Sequence, residues 1–322
     1  MHTHATGPVL LDRAEILRRL DHAAGIAAVR DSLVAYSAGE VRQPPVVHMG
    51  FSAANGDCHV KCAHVAGAPV FVVKIATGFY DNPARGLASS NGLMVALSAG
   101  TGEPVALLFD GGVLTDWRTG YAGARPPRRC WPRGAPRLGI VGTGTQARMQ
   151  LRALRALAPG APLAVGVWGR SAARAERFAA DVADLGLDVS PLASLAELCA
   201  TSQVIVTTTP AAKPLVRSEW IAPGTHITAV GADSPGKQEL ETALVARADL
   251  LLADSAHQSI DHGEFAPAVA AGLVAVERVG EIGAALGEGA LTRRPGAVSI
   301  ADLTGLGAED AAIAGAVLAA TP

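Results

Sequence analysis

The sequence predicts an α/β protein organised around a doubly wound parallel sheet of the Rossmann type. Three observations predict it. The apolar run Leu138–Val141 reads as a buried parallel strand. Gly142, Gly144 and Ala147 follow it in G-x-G-x-x-A spacing, and a helical pattern with Met149, Leu151, Leu154 and Leu157 comes next. From Arg137 to about Ser299, strand-like and helix-like segments alternate, which calls for a parallel sheet with right-handed crossovers. In this context Gly142 permits the tight turn, Gly144 lets the backbone approach a pyrophosphate, and Ala147 lets helix and strand pack closely. The N-terminus of that helix aims its unpaired N–H groups at the phosphates. A doubly wound domain that holds no nucleotide is the alternative.

The elements follow in order. Residues 10–38 carry apolar positions at helical spacing, among them Ile16, Leu20, Ile26, Val29 and Leu33, and predict amphipathic helices. Pro44-Pro45 forces extended backbone. Residues 46–76 predict a short antiparallel sheet, with turn signals at Asn55-Gly56-Asp57 and Gly67-Ala68-Pro69. Residues 77–92 are rich in Gly, Asn, Pro and Ser and predict a long loop of the kind that carries function. Residues 93–99 and 104–109 read as strands, and a helix opens near Thr115, interrupted by Pro126-Pro127. Beyond the fingerprint helix, strands are expected at 163–168, 204–208, 227–230, 250–253 and 298–301. Helices are expected at 172–184 and, last, at 309–320.

Composition narrows the function classes. The chain has 322 residues, 49% of them hydrophobic, and a formal net charge of −2. That length supports two domains or one large one with ample core. The charge gives no reason to expect nucleic acid or an acidic membrane surface. No apolar run reaches membrane-spanning length, and the first residues lack the basic and apolar regions of a secretion signal. A soluble, cytoplasmic protein is the expectation. Four cysteines, Cys58, Cys62, Cys130 and Cys199, are too scattered for a disulfide framework. Cys58, His59, Cys62 and His64 lie in an alternating, strand-like run with no second ligand pair, so no metal is expected. His257 and His262, flanking Asp261, read as a polar loop. The four tryptophans, Trp117, Trp131, Trp168 and Trp220, read as packing residues.

Two local patterns bear on chemistry. If the second hairpin is centred between Gly67 and Ala68, Lys61 lies directly opposite Lys74. Like charges so placed are destabilising unless an anion lies between them or one lysine has a depressed pKa. Two solvated lysines on an outer sheet face are the alternative. After the second strand of the nucleotide domain comes Gly169-Arg170-Ser171, where an NAD-binding protein carries an acid for the ribose 2′-OH. Arg170 beside the Ser171 hydroxyl suits a 2′-phosphate, so NADP(H) is favoured over NAD(H). Arg170 stacked on adenine is the other possibility.

Several stretches together resemble the ornithine cyclodeaminase/mu-crystallin family: FVVKIATGFYDNPARGLASSNG, LLFDGGVLTDWRTGYAGA, LGIVGTGTQA, AVGADSPGKQEL and ADLTGLGAED. The resemblance implies a Rossmann domain, here residues 121–299, and a smaller α+β substrate and dimerisation domain made from both chain ends, residues 1–120 and 300–322. It implies a homodimer that binds a nicotinamide cofactor and acts on a small imino or amino acid. By position it implies Lys74 and Arg118 on the substrate carboxylate, with Arg118 also on the cofactor, and Asp233 as proton donor or acceptor at the reacting nitrogen. Cofactor contacts are implied at Ser89, Gly142, Gly144, Thr145, Gln146, Ala147, Arg170 and Ser171. They continue at Thr208, Thr209, Pro210, Val230, Gly231, Ala232, Asp233 and Lys237, and Thr304 and Gly305 line the nicotinamide and substrate side.

Many members of the family bind the carboxylate with an arginine directly after the Pro-Pro pair. Here that position is Val46, with His48 two further on, and Lys61 is placed to replace the charge. Three cations, Lys61, Lys74 and Arg118, favour a dicarboxylic imine such as iminosuccinate, reduced to an L-amino acid. A cyclodeaminase acting on ornithine or diaminobutyrate with recycled NAD is the first alternative. A catalytically silent, NADPH-bound binding protein like mu-crystallin is the second. The stretch RTGYAGARPPRRCW departs from the plain helix usual at this place in the family.

Overall fold

The computed structural model describes residues 7–124, 137–160, 163–287 and 294–320. It divides into two compact units. One runs to Arg118 and resumes at Leu306, and the other is Thr119–Gly305.

The first unit is built on a seven-stranded sheet. Its strands are β1 (Val9–Asp12), β2 (Val41–Arg42), β3 (Val47–Phe51), β4 (Gly56–Val65), β5 (Val70–Phe79), β6 (Ser90–Ser98) and β7 (Pro104–Phe109). The order is β1-β7-β6-β5-β4-β2, with β3 also paired to β4. Only the β1–β7 pair is parallel; the others are antiparallel, and all of those but β2–β4 are hairpins. The helices Arg13–Arg19 and His22–Ser37 start where Asp12 and Asp21 accept the amides of Glu15 and Ala24 at 2.8 and 2.7 Å, as N-caps do. The C-terminal helix Gly307–Ala319 packs on His22–Ser37, β4 and β5, so both ends of the chain share one core. Two expectations change here. Val9–Asp12 form a strand rather than the start of a helix, because pairing with β7 outweighs local periodicity. The loop expected over 77–92 shrinks to residues 80–89, because β5 and β6 pair as far as Gly78 and Ser90.

The second unit is built on an eight-stranded parallel sheet. Its strands are β8 (Leu138–Val141), β9 (Ala164–Trp168), β10 (Asp188–Pro191), β11 (Val204–Thr207), β12 (His226–Ala229), β13 (Leu250–Ala253), β14 (Val279–Glu281) and β15 (Ser299–Asp302). The order β10-β9-β8-β11-β12 is the Rossmann arrangement, with its switch point between β8 and β11. Val141, Ile205, Ile227, Leu251 and Ile300 fill the core, and Trp168 and Trp220 pack against it as expected. Strands β10 and β14 are too short and too polar to read from periodicity. The strand β15 belongs to this sheet, so the boundary expected at 300 falls after Gly305. The helix expected over 172–184 ends at Asp181. The polar loop expected around Asp261 is instead the short helix Ala256–Asp261. The helix Val113–Ala124 is regular throughout; Pro126, Pro127, Cys130 and Trp131 lie outside the described residues. No helix among the described residues is long and apolar enough to cross a membrane.

Candidate active site

In the first unit the register of the β4–β5 hairpin puts Lys61 directly opposite Lys74. Lys74 is buried, at 3% exposure. Its Nζ donates to Asp310 Oδ2 at 2.6 Å. Arg118, also buried, donates from Nε to Asp310 Oδ1 at 3.0 Å and from Nη1 to Glu309 Oε2 at 2.9 Å. Both carboxylates come from the first turn of the C-terminal helix. Asp110 accepts the amide of Leu114 at 3.0 Å.

The electrostatics follow from burial and crowding. Burial lowers the Lys74 pKa from 10.5 to about 8, and the neighbouring Arg118 and Lys61 add to the fall while Asp310 opposes it. Burial alone would raise Asp310, but Lys74, Arg118 and Lys61 outweigh it and hold that carboxylate below its ordinary value. Both outcomes expected of opposed lysines are therefore present, an anion against one of them and a depressed pKa. Two of the three cations already face internal acids.

The same sheet face continues beyond Lys61. Side chains two apart on a strand share a face, so Asp57, His59 and Lys61 line up on β4. His48 on β3 is registered with His59. The two imidazoles lie with ring centroids 4.7 Å apart, and His59 Nε2 is 3.7 Å from Asp57 Oδ1. One ligating atom from each of His48, Asp57 and His59 falls within 4.8 Å of the others. The alternation sends Cys58 and Cys62 to the other face, so the Cys/His run does not come together as one ligand set. Cys58, Cys62 and Cys199 are free thiols.

In the second unit the fingerprint has the form its function requires. Gly142 has φ +121, and a Cβ there would lie 2.5 Å from Thr208 Oγ1, so only glycine fits. Gly144 is the N-cap of the 13-residue helix Thr145–Leu157, with open space where a Cβ would stand. Ala147 is fully buried at the helix–strand contact. A tight turn, an open glycine and a helix N-terminus with no side-chain cap are the donor set a dinucleotide pyrophosphate needs. Arg170 is exposed after β9, and the Ser171 hydroxyl accepts the amide of Arg174 at 3.4 Å as an N-cap. The Asp233 carboxylate, exposed after β12, accepts Lys237 Nζ at 2.5 Å and Ser234 Oγ at 3.4 Å. Lys237, expected on the cofactor, is thus paired to Asp233. Thr304 Oγ1 and the amide of Gly305 donate to Asp254 at 2.8 and 2.6 Å. Ser89 lies in the first unit, where its carbonyl accepts the amide of Phe79 at 2.7 Å.

The acids Glu309, Asp310, Glu239 and Asp254 escaped sequence reasoning, and a signal for two of them was present. Glu309-Asp310 interrupts an otherwise apolar segment, GLGAEDAAIAGAVLAA. An acid pair in a helix apolar all round must be buried, and buried charges must be paired.

Fold and fingerprint together define an NAD(P)-dependent oxidoreductase. Residues 7–320 match the ornithine cyclodeaminase/mu-crystallin family, and the chain belongs to it. Among its relatives is an uncharacterized cyclodeaminase of Sinorhizobium fredii, 40% identical over 85% of this chain and 83% of that protein. The solved structure of the iminosuccinate reductase of Paracoccus denitrificans, in complex with NAD+, superposes with a TM-score of 0.88 at 31% identity over 97% of this chain and 96% of that one. An archaeal alanine dehydrogenase dimer with bound NAD superposes with a TM-score of 0.86 at 31% identity, over 96% of this chain and 94% of that one.

Proposed function

We propose that this chain reduces the C=N bond of a dicarboxylic imino acid, with iminosuccinate as the first candidate, to the L-amino acid. The observation that carries the reading is Lys61 opposite Lys74 on one sheet face, with Arg118 bound to the same acid as Lys74. A lysine has three donors. Lys74 gives one to Asp310 and keeps others for the α-carboxylate, with Lys61 beside it. Arg118, fixed in direction by Glu309 and Asp310, adds a guanidinium to that carboxylate and to the cofactor. The second carboxylate meets His48 and His59. They lie two residues along the strand from Lys61, about 7 Å at the rise of an antiparallel strand, a spacing suited to a four-carbon diacid. Likeness to an iminosuccinate reductase supports the same choice.

The nicotinamide cofactor, when bound, supplies the hydride. Asp233 is the group that gives the proton to the imine nitrogen, and Lys237 holds its side chain in orientation. Thr304 and Gly305, fixed by Asp254, line the substrate side. Arg170 favours NADP(H), although both solved relatives named above hold NAD, so the preference is open to direct measurement. The protein works as a cytoplasmic homodimer on a small molecule, with no nucleic acid, membrane or metal. Cyclodeamination of a diamino acid is the second reading, favoured by the name of the Sinorhizobium fredii relative.

The test is cofactor oxidation with ammonia and a panel of 2-oxo acids, including oxaloacetate, pyruvate and glyoxylate, with NADPH and NADH in parallel. Consumption with oxaloacetate above the others supports the dicarboxylic reading. Ammonia release from ornithine or diaminobutyrate without net cofactor change moves the assignment to a cyclodeaminase. Tight cofactor binding with neither activity moves it to a binding protein. Lys61→Met should raise KM for the dicarboxylic imine more than for a monocarboxylic one; equal effects would remove the case for a diacid.

A further inference from the structure

Glu239 lies at the end of the stretch Gly231–Glu239, ten residues beyond the end of β12, and is fully buried. Its carboxylate collects four donors. Oε1 accepts the amide of Thr209 at 2.6 Å and the Thr209 hydroxyl at 2.7 Å. Oε2 accepts the Thr207 hydroxyl at 2.7 Å and the amide of Gly231 at 2.8 Å. Thr207 and Thr209 belong to the end of β11 and its loop, and Gly231 follows β12, so one side chain ties two neighbouring strand ends together. Gly231 is glycine for the same reason. A Cβ there would strike the carbonyl oxygen of Thr209 and stand 2.6 Å from Glu239 Cδ. The carboxylate is itself held, because the amides of Glu239 and Leu240 donate to the buried Glu264 at distances of 2.6–3.1 Å.

The topology says what these strand ends do. A dinucleotide lies across the crevice at the switch point, with its pyrophosphate on the fingerprint after β8. Arg170 after β9 marks the adenosine end. The other half of the cofactor therefore runs over the ends of β11 and β12. We propose that Glu239 is a positioning residue for the nicotinamide half of the cofactor, acting through Thr209 and Gly231 and touching neither cofactor nor substrate. The inference rests on the cofactor part of the function proposed above and is independent of the substrate.

The chemistry requires a carboxylate. Each oxygen takes one backbone N–H, whose direction is fixed. Whichever way a glutamine amide is turned, its NH2 faces one of those N–H groups, and a donor is left unmet. Threonine hydroxyls can rotate away from such a clash; the two amides cannot.

The test compares two ligands on Glu239→Gln and on the wild type, by fluorescence or calorimetric titration. NAD(P)H spans both halves of the crevice, whereas ADP-ribose, or its 2′-phosphate, occupies only the fingerprint side. Glu239→Gln should weaken NAD(P)H about tenfold, the size of one unmet buried donor, and leave ADP-ribose within about twofold. Thr207→Val removes one of the four donors at nearly constant shape. It should move NAD(P)H in the same direction by a smaller factor, and it decides the matter if Glu239→Gln does not fold. Equal weakening of both ligands, or weakening of neither, overturns the assignment. A wild type that binds ADP-ribose but not NAD(P)H overturns the cofactor reading as well.

Discussion

Replacing Asp310 by asparagine is the sharpest probe of the cationic cluster. The change keeps the shape and removes the charge that faces both Lys74 at 2.6 Å and Arg118 at 3.0 Å. At an effective dielectric constant of about 20, each contact carries a Coulomb attraction of about 6 kcal/mol. Desolvation offsets much of that, and breaking a buried pair from one side costs about 3–5 kcal/mol net. Denaturant unfolding should show a loss of that size. A second effect follows on Lys74. Asp310 opposes the burial that brings this lysine to about 8, so without it the pKa falls further. Only protonated Lys74 grips a carboxylate. KM for the imino acid should therefore stay low below the lysine pKa and climb as pH rises through it, near 8 in the wild type. In Asp310→Asn the climb should begin at lower pH. The assay is KM against pH for both proteins. A variant with unchanged stability and an unmoved pH profile would show that Asp310 does not set the charge state of the cluster.

Two further outcomes are expected. Arg170→Ala should lower kcat/KM with NADPH by about 10- to 100-fold, the worth of a charge-assisted hydrogen bond, and leave NADH nearly unchanged; equal rates with both cofactors before and after would refute a 2′-phosphate contact. Gly142→Ala forces a Cβ against Thr208 at positive φ, so it should cost about 1–3 kcal/mol and abolish saturable NAD(P)H binding, read by calorimetry.

What was legible in the sequence was what local rules govern. The strand–turn–helix at Leu138–Leu157 follows from small residues at fixed spacing, and it appears as expected. The pairing of Lys61 with Lys74 follows from one turn, because a hairpin register is fixed by its loop. The partners of those cations were not legible in the same way. Arg118 and Asp310 are 192 residues apart, and no periodicity connects them. Strand β1 escaped for a like reason: four residues become a strand only by pairing with β7, almost the length of the first unit away. In the sequence Glu239 is one more acid after a glycine-rich motif, and its place depends on two strand ends brought together by the parallel pairing of β11 with β12.

The placement of Glu309 and Asp310 on the C-terminal helix has a consequence for biosynthesis. Lys61, Lys74 and Arg118 leave the ribosome with the whole Rossmann unit still to be translated before their acids appear. The first unit can collapse early, but its buried Lys74 and Arg118 wait for Glu309 and Asp310, which follow the Rossmann unit in the chain. Vectorial folding therefore closes this ion-pair cluster only after the whole Rossmann unit has been made, and chains stalled before Glu309 carry an unfinished core.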